Sequence, residues 1–498
     1  MKRLTDPIAR NAAGTPDHPA VICAGSVTTY SQLAARIQIA ASWLSGLGVR
    51  PGDRVAIVGE NSLDWIGLAH AMPLLGAILV PINPRWSPSE AARWIAHVEP
   101  ALILVGDQSA GSLTGSVLHG ARVVRLSEEM PGEGDVIPPA TEALPAEFDL
   151  DQIHTIMPTS GSGGAPKGVC LTLRNHLASA LASAVNLGVD RDDRWLLNLP
   201  LCHIGGLAIL MRAAFYGTTV VLHRTFDAQA TLAAITEDRV THLSLVGTTL
   251  LRLLKEQGDR TFPGHVRAAL VGGGPVHSEL LREARARGLP VLPTYGMTEA
   301  SSQVATLSPR DTDDNLCTAG QPLTFCEIEI SDEDGKRASP GEAGQVRVRG
   351  PMLAKGYWTA PGQIEPLTRD GWFATSDVGS LDDDGFLTIH GRRDNVIISG
   401  GEKLFPEEIE TALEQIAGID RAAVAGIDDP EWGQTIVAMI EPSRGATFDE
   451  ESIRDSLARH LARYKLPRRF IRVEALPTLT NGKIDRGRLR ALLQTVSK

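Results

Sequence analysis

Between residues 20 and 106 the sequence alternates short, wholly apolar runs with segments of helical period, and this alternation limits the fold more than any other feature. Residues 53–58, 77–80 and 101–105 read as strands that are apolar on both faces. Residues 65–75 and 87–98 read as helices. Another helix opens at Thr28-Thr29-Tyr30-Ser31, with Ser31 as its N-cap, and runs to about Gly46. A strand apolar on both sides needs cover on both sides, and short strands joined through helices run parallel. The same rhythm resumes after residue 168 and lasts to about residue 310. The expectation is an α/β body built on parallel sheets.

From Ala319 the texture changes. Short strands at 326–331, 344–349 and 386–390 are separated by Glu333-Asp334-Gly335 and Asp383-Asp384-Gly385, which read as the turns of a small β-rich section. Beyond Asp394 come a strand, a helix at 406–415, strands at 422–426 and 435–440, and a helix at 448–463, a compact α+β unit. A chain of 498 residues exceeds what one hydrophobic core supports. The expected division is therefore a large N-terminal domain at 1–393 and a smaller C-terminal domain at 394–498. Residues 127–148, rich in Pro, Glu and Gly, read as a surface excursion.

The segment Thr155-Ile156-Met157-Pro158-Thr159-Ser160-Gly161-Ser162-Gly163-Gly164-Ala165-Pro166-Lys167-Gly168 sits between apolar runs and reads as strand, flexible loop, strand. Glycines leave backbone N–H groups open to an anion, the hydroxyls add donors, and Lys167 adds a mobile charge. A polyphosphate suits that set. It is neither a Walker loop nor a dinucleotide fingerprint. A solvated turn has the same composition, so the loop alone does not decide.

The formal net charge of −11 argues against nucleic acid or an anionic membrane as partner. Five cysteines, Cys23, Cys170, Cys202, Cys317 and Cys326, are far apart and form no Cys-x-x-Cys pair, which points to a reducing compartment without a cysteine metal site. Residues 65–82 form the one long apolar run, and His70, Pro73, Gly76 and Pro81 interrupt it. It reads as a buried helix leading into a strand, not as a membrane span. The N-terminus has no apolar stretch of signal-peptide length. A soluble, cytoplasmic protein is expected.

Further clusters follow in order. Val271-Gly272-Gly273-Gly274-Pro275 follows a strand pattern, so backbone could approach a flat ring. Tyr295-Gly296-Met297-Thr298-Glu299 joins an aromatic face, a hydroxyl and a carboxylate. Trp372-Phe373-Ala374-Thr375-Ser376-Asp377 places an aspartate at a strand end. Gly391-Arg392-Arg393-Asp394 adds a cation, and Asn481-Gly482-Lys483 sets a lysine on a tight turn. As an ordered set, from Tyr30 to Arg486, they resemble the adenylate-forming superfamily of acyl-CoA synthetases, peptide-synthetase adenylation domains and firefly-type luciferases.

That resemblance implies an ATP-dependent ligase that makes an acyl-adenylate, releases pyrophosphate, and then passes the acyl group to coenzyme A with release of AMP. It implies that Thr159, Ser160, Gly161, Ser162, Gly163, Gly164 and Lys167 hold the β- and γ-phosphates. Gly272, Gly273, Gly274 and Pro275 would enclose adenine with Tyr295, beside Gly296 and Met297. Asp377 would bind the ribose hydroxyls, supported by Arg392. Thr298 would contact the α-phosphate, Glu299 would hold Mg²⁺, and Lys483 would bridge substrate carboxylate and α-phosphate. Asp394 would be the hinge of a mobile C-terminal domain, and Gly400, Gly401, Glu402 and Lys403 would meet the pantetheine arm of coenzyme A. Two positions depart from the family pattern: Gly163 stands where threonine or serine is usual, and Ser376 where glycine is usual.

The acid is addressed by Leu199-Pro200-Leu201-Cys202-His203-Ile204-Gly205-Gly206-Leu207, ahead of a helix through Phe215. Amino-acid-activating relatives place an aspartate near Cys202-His203, and its absence here implies a simple carboxylic acid, with His203 as a gate. The expected acyl pocket is His203, Leu207, Val246, Gly247, Thr248, Gly272, Gly296, Ser301 and Gln303. Residues 197–227 and 294–303 look most like o-succinylbenzoate–CoA ligases, although Gly205 stands where those commonly carry serine. Another aryl or medium-chain acid is the alternative substrate. The expected partners are small molecules, with a homodimer as the assembly. Two rival readings stand beside this one: an adenylating enzyme that loads a carrier protein, and a catalytically weak nucleotide-binding homologue.

Overall fold

The computed structural model describes residues 2–106, 121–126, 146–159, 166–274, 276–368, 370–399, 402–429, 433–446, 448–459, 461, 465–479 and 482–496. The chain divides into two compact units, Met1–Glu327 with Val348–Phe373, and Ile328–Arg347 with Ala374–Lys498. The boundary expected at Asp394 falls inside the second unit.

The first unit carries two large sheets. In one, the parallel strands Arg54–Val58, Ile78–Ile82, Leu102–Val105 and Arg122–Arg125 continue through Ile153–Thr159 into an antiparallel edge formed by Lys167–Thr172, Gly356–Ala360 and Gln363–Pro366. In the other, the central strands Pro19–Cys23, Thr219–Leu222, Arg194–Leu197, His242–Leu245, Ala268–Val271 and Val291–Met297 run parallel, with antiparallel strands on both edges. The expected α/β class holds. Antiparallel edges arise where the chain turns back through a hairpin instead of a helix.

Helices form where the sequence supplies both a cap and an apolar face. Ser87 caps Pro88–Val98 in a capping box with Glu90, and Trp94, Ile95 and Val98 on that helix are buried against the first sheet. Helix Tyr30–Gly46 is capped by Thr29, not by the expected Ser31. The Thr29 hydroxyl accepts from the Gln32 N–H at 3.3 Å, and the Gln32 side chain accepts from the Thr29 N–H at 2.9 Å. Helix Leu63–Leu75 is buried along almost its whole length and leads through Gly76, at φ 66°, into strand Ile78–Ile82. No helix among the described residues is long and apolar enough to cross a membrane. None of the five cysteines is bridged.

The second unit holds a four-stranded sheet of Glu327–Ser331, Gly344–Arg349, Phe373–Leu381 and Leu387–Arg392, and a five-stranded sheet centred on Ile419–Asp429 and Gly433–Pro442. The latter strands alternate with period two. Ala422, Val424, Ile436 and Ala438 pack with Ile409 and Leu413 of helix Pro406–Glu414, while Ala423, Ala425, Val437 and Met439 pack with Leu489 and Leu493 of helix Arg486–Val496. The helix expected at 448–463 is described only as Glu450–Leu457, capped by the Asp449 carboxylate.

Candidate active site

Strands Ile153–Thr159 and Lys167–Thr172 pair antiparallel with Thr159 opposite Lys167, so the glycine-rich segment is the tip of a hairpin. Residues 160–165 of that tip lie outside the described residues, as do Pro275, Gly400, Gly401 and the side chains of Glu402 and Lys403. Lys167 points its ammonium over the Tyr357 ring, 5.0 Å from the centroid. Tyr357 lies on strand Gly356–Ala360, paired with Val169. Its hydroxyl donates to Glu299 Oε1 at 3.0 Å. Burial, and after it the Glu299 carboxylate, holds the phenol well above its ordinary range, so it remains a donor.

Thr298 and Glu299 form a 3₁₀ turn, Thr298–Ala300, directly after strand Val291–Met297. The Glu299 carbonyl accepts from the Ala354 N–H at 2.7 Å, which pins the turn. Tyr295 and Met297 are half-buried on the preceding strand. Two of the expected site glycines make room for the protein itself. A Cβ on Gly272 would fall 2.7 Å from Thr294, and one on Gly296 would fall 1.8 Å from the Ser302 carbonyl oxygen. At both positions the missing side chain lets neighbouring backbone close up. Gly274 does face open space.

The loop before helix Ile204–Tyr216 is held by Asn61, which donates to the Leu199 carbonyl at 2.9 Å and accepts from the Leu201 N–H at 2.9 Å. His203 stands at the N-terminus of that helix, with Nε2 at 3.5 Å from Asn83 Nδ2. Val246 and Gly247 are half-buried at the start of helix Gly247–Gln257, and Thr248 is exposed there. Leu207 is fully buried. Ser301 is also buried, at φ 54°, and its hydroxyl donates to the Met352 carbonyl at 2.9 Å. That bond commits the hydroxyl to the backbone. Gln303 donates to Thr306 Oγ1 at 2.8 Å, while its Oε1 is buried without a partner.

Sequence reasoning gave no role to Arg212, on the same helix as Leu207. Its guanidinium is 2% exposed, lies 5.2 Å over the Trp195 ring and donates to Ser302 Oγ at 3.3 Å. Nε has no partner, and no carboxylate pairs with the group among the described residues. Burial lowers its pKa. A buried charge costs several kcal/mol unless compensated, and a ring face and one hydroxyl compensate it only in part. Within an apolar helix, only this charge in a wholly buried position could have flagged the residue. Tyr357 carried no signal, because a Gly-Tyr-Trp strand looks like any edge strand.

In the second unit Asp377 sits in the middle of strand Phe373–Leu381, not at a strand end, opposite Arg392. A bulge between Val378 and Gly379 follows it, locally distorting the pairing. The Lys483 turn is closed by the Leu479 N–H donating to the Lys483 carbonyl at 2.7 Å, and by Gly482 at φ 83°. Lys483 is exposed as a residue, yet protein atoms crowd its amine. Desolvation first and the Arg392 charge second lower its pKa, while Asp377 pulls the other way. Asp377, Arg392 and Lys483 are therefore close enough to feel one another. Asp394 lies 3.7 Å from Arg392 through its carboxylate, and its carbonyl accepts from Arg490 at 2.6 Å.

The family profile described as "AMP-binding enzyme" matches residues 8–358, and that of the "AMP-binding enzyme C-terminal domain" matches 408–483. The chain belongs to the AMP-binding enzyme family. It is similar over nearly its whole length to proteins named 2-succinylbenzoate–CoA ligase, with 39% identity to that of Bacillus licheniformis over 97% of this chain and 98% of the relative. To that of a Geobacillus species the identity is 37%, over 96% and 95%. Among solved structures, o-succinylbenzoate CoA synthetase (MenE) from Bacillus subtilis, in complex with its acyl-adenylate intermediate OSB-AMP, superposes with a TM-score of 0.92 at 35% identity, covering 98% of this chain and 99% of that one. ATP-bound MatB from Rhodopseudomonas palustris follows at 0.88 and 28%, covering 99% and 100%.

Proposed function

We propose that this chain is an ATP-dependent, AMP-forming carboxylate–CoA ligase and that its acid is 2-succinylbenzoate or a close aromatic dicarboxylate. Similarity over nearly the full chain to ligases of that name supports the reaction. The observation that carries the acid is Arg212, a buried cation without an acidic partner among the described residues. A mono-acid leaves it uncompensated, whereas a second carboxylate supplies its counter-charge.

Carboxylate and polyphosphate are both anionic, so the first step is one of charge cancellation. Lys167 and the hairpin tip take the terminal phosphates, and Thr298 the α-phosphate. Asp377 takes the ribose hydroxyls. Lys483 bridges the substrate carboxylate and the α-phosphoryl group, and its amine lies within electrostatic reach of Asp377 and Arg392. Mg²⁺ binds through one or two carboxylates plus substrate phosphates and water, and Glu299 would be its protein ligand here. The ion would supply further neutralisation of the polyphosphate. Thioester formation follows after the 394–498 domain turns about Asp394 and brings the 400–403 segment to coenzyme A.

The reading extends to a cytoplasmic homodimer. Unbridged cysteines support the compartment, and exposed Leu181, Val185 and Val189 support self-association, which light scattering tests.

The decisive assay measures pyrophosphate release with a panel of acids, then coenzyme A-dependent thioester by mass spectrometry. 2-Succinylbenzoate is expected to outpace benzoate, which lacks the second carboxylate. Equal rates would remove the acid assignment. Pyrophosphate release without transfer to coenzyme A would favour carrier-protein loading, and silence with every acid would overturn the ligase reading.

A further inference from the structure

We propose that Tyr357 is a positioning residue that holds the Lys167 ammonium and the Glu299 carboxylate in place for one Mg²⁺–nucleotide. The proposal rests on the reading that gives Lys167 to the polyphosphate and Glu299 to the metal ion.

One side chain touches both charges by chemically different ends. Its hydroxyl donates to Glu299 Oε1 at 3.0 Å, and its ring face receives Lys167 Nζ at 5.0 Å from the centroid. Neither contact uses up the group it holds. The ammonium keeps its three N–H donors, and Glu299 Oε2 stays outside the bond. A direct ion pair between Lys167 and Glu299 would turn both away from a ligand, whereas an aromatic ring attracts the cation through its quadrupole and leaves its donors open.

The ring is itself fixed. Tyr357 pairs with Val169 on one side and with Glu365 on the other, so its strand is not a free edge. Next to it Trp358, 5% exposed, donates through Nε1 to the His97 carbonyl at 3.3 Å and locks the opposite face of the strand into the core. Alternation then sends Tyr357 to the face that carries Lys167. Lys167 and Glu299 lie far apart in sequence, and Tyr357 contacts both. Groups that orient a metal-ligating carboxylate in this way act on metal affinity without touching the metal.

The test uses the full-length protein and measures ATP binding by calorimetry, without acid or coenzyme A, across a Mg²⁺ titration and again in EDTA. Tyr357→Phe keeps the ring and removes the donor. It is expected to weaken the apparent Mg²⁺ constant by about 10- to 100-fold, with Mg²⁺-free ATP binding and melting temperature unchanged. Tyr357→Leu removes the ring as well and is expected to weaken Mg²⁺-free ATP binding too. A Tyr357→Phe protein with the parental Mg²⁺ dependence overturns the proposal, as does an equal loss with and without Mg²⁺. Glu299→Gln separates the two levels. If it leaves the Mg²⁺ dependence intact, the metal assignment itself fails; if it shifts the dependence while Tyr357→Phe does not, only the role of Tyr357 fails.

Discussion

Arg212 sets affinity and stability against each other. As a buried cation without an acidic partner among the described residues it is a burden on the folded state, so Arg212→Met, of similar reach, is expected to leave the melting temperature unchanged or higher. On the proposed reading the same change removes the charged hydrogen-bonding partner of the second carboxylate. At about 1.5–3 kcal/mol for such a bond, kcat/KM for 2-succinylbenzoate falls roughly 10- to 150-fold. Steady-state kinetics beside calorimetry checks both signs, and a loss of stability together with unchanged kinetics would refute the assignment. Gly296 and Ser301 also have local ties, the close Ser302 carbonyl and the bond to Met352.

Helices and strands carry two further expectations. Helix Leu63–Leu75, strand Ile153–Thr159 and helix Leu173–Leu187 bring His70, His154 and His176 together in the interior, with the last two rings 5.2 Å apart. Burial lowers all three pKa values, His70 to about 3 and His154 to about 4, with His176 also well below the usual value. The unfolded chain therefore binds protons, near pH 6.5, that the folded chain refuses. Stability from these neutral rings is complete above pH 6.5 and drains as the pH falls toward 4. Melting temperature is expected to drop between pH 7 and pH 5, and His154→Phe to flatten that slope; parallel curves would contradict it. In the second unit Glu410 of helix Pro406–Glu414 accepts from Arg486 at 2.6 Å and from the Val424 N–H at 2.6 Å, while Arg486 begins helix Arg486–Val496. Glu410→Gln is expected to destabilise the unit by leaving the half-buried Arg486 guanidinium with Glu407 alone, at 3.5 Å, as its acidic partner. Hydrogen exchange at Val424 reads it, and unchanged protection would show the pair to be idle.

At the scale of the whole molecule the two half-reactions need different groups at one acyl carbon, and the proposed function gives Lys483 to the first alone. Lys483→Ala is expected to abolish acid-dependent ATP–pyrophosphate exchange while thioester formation from supplied adenylate stays largely intact. Equal loss of both steps would contradict a lysine that acts before domain rotation. Arg490 holds the carbonyl of Asp394, the proposed hinge, and its neighbour Asn395 donates to Glu407 at 2.9 Å, so both are tied to helices of the second unit.

The α/β rhythm, the strand–loop–strand around 159–167 and the Lys483 turn were readable in advance, because local period, turn chemistry and ordered motifs encode them over a few residues each. Cap identity and strand ends were less so. Thr29 outcompetes Ser31 through its reciprocal bond with Gln32, and the bulge after Asp377 lets its strand run on. Tyr357 against Lys167 and Glu299, and Arg212 over Trp195 beneath Ser302, came only with the tertiary structure. Those partners are distant in sequence, and their meaning lies in burial and in missing counter-charges, which no local pattern records.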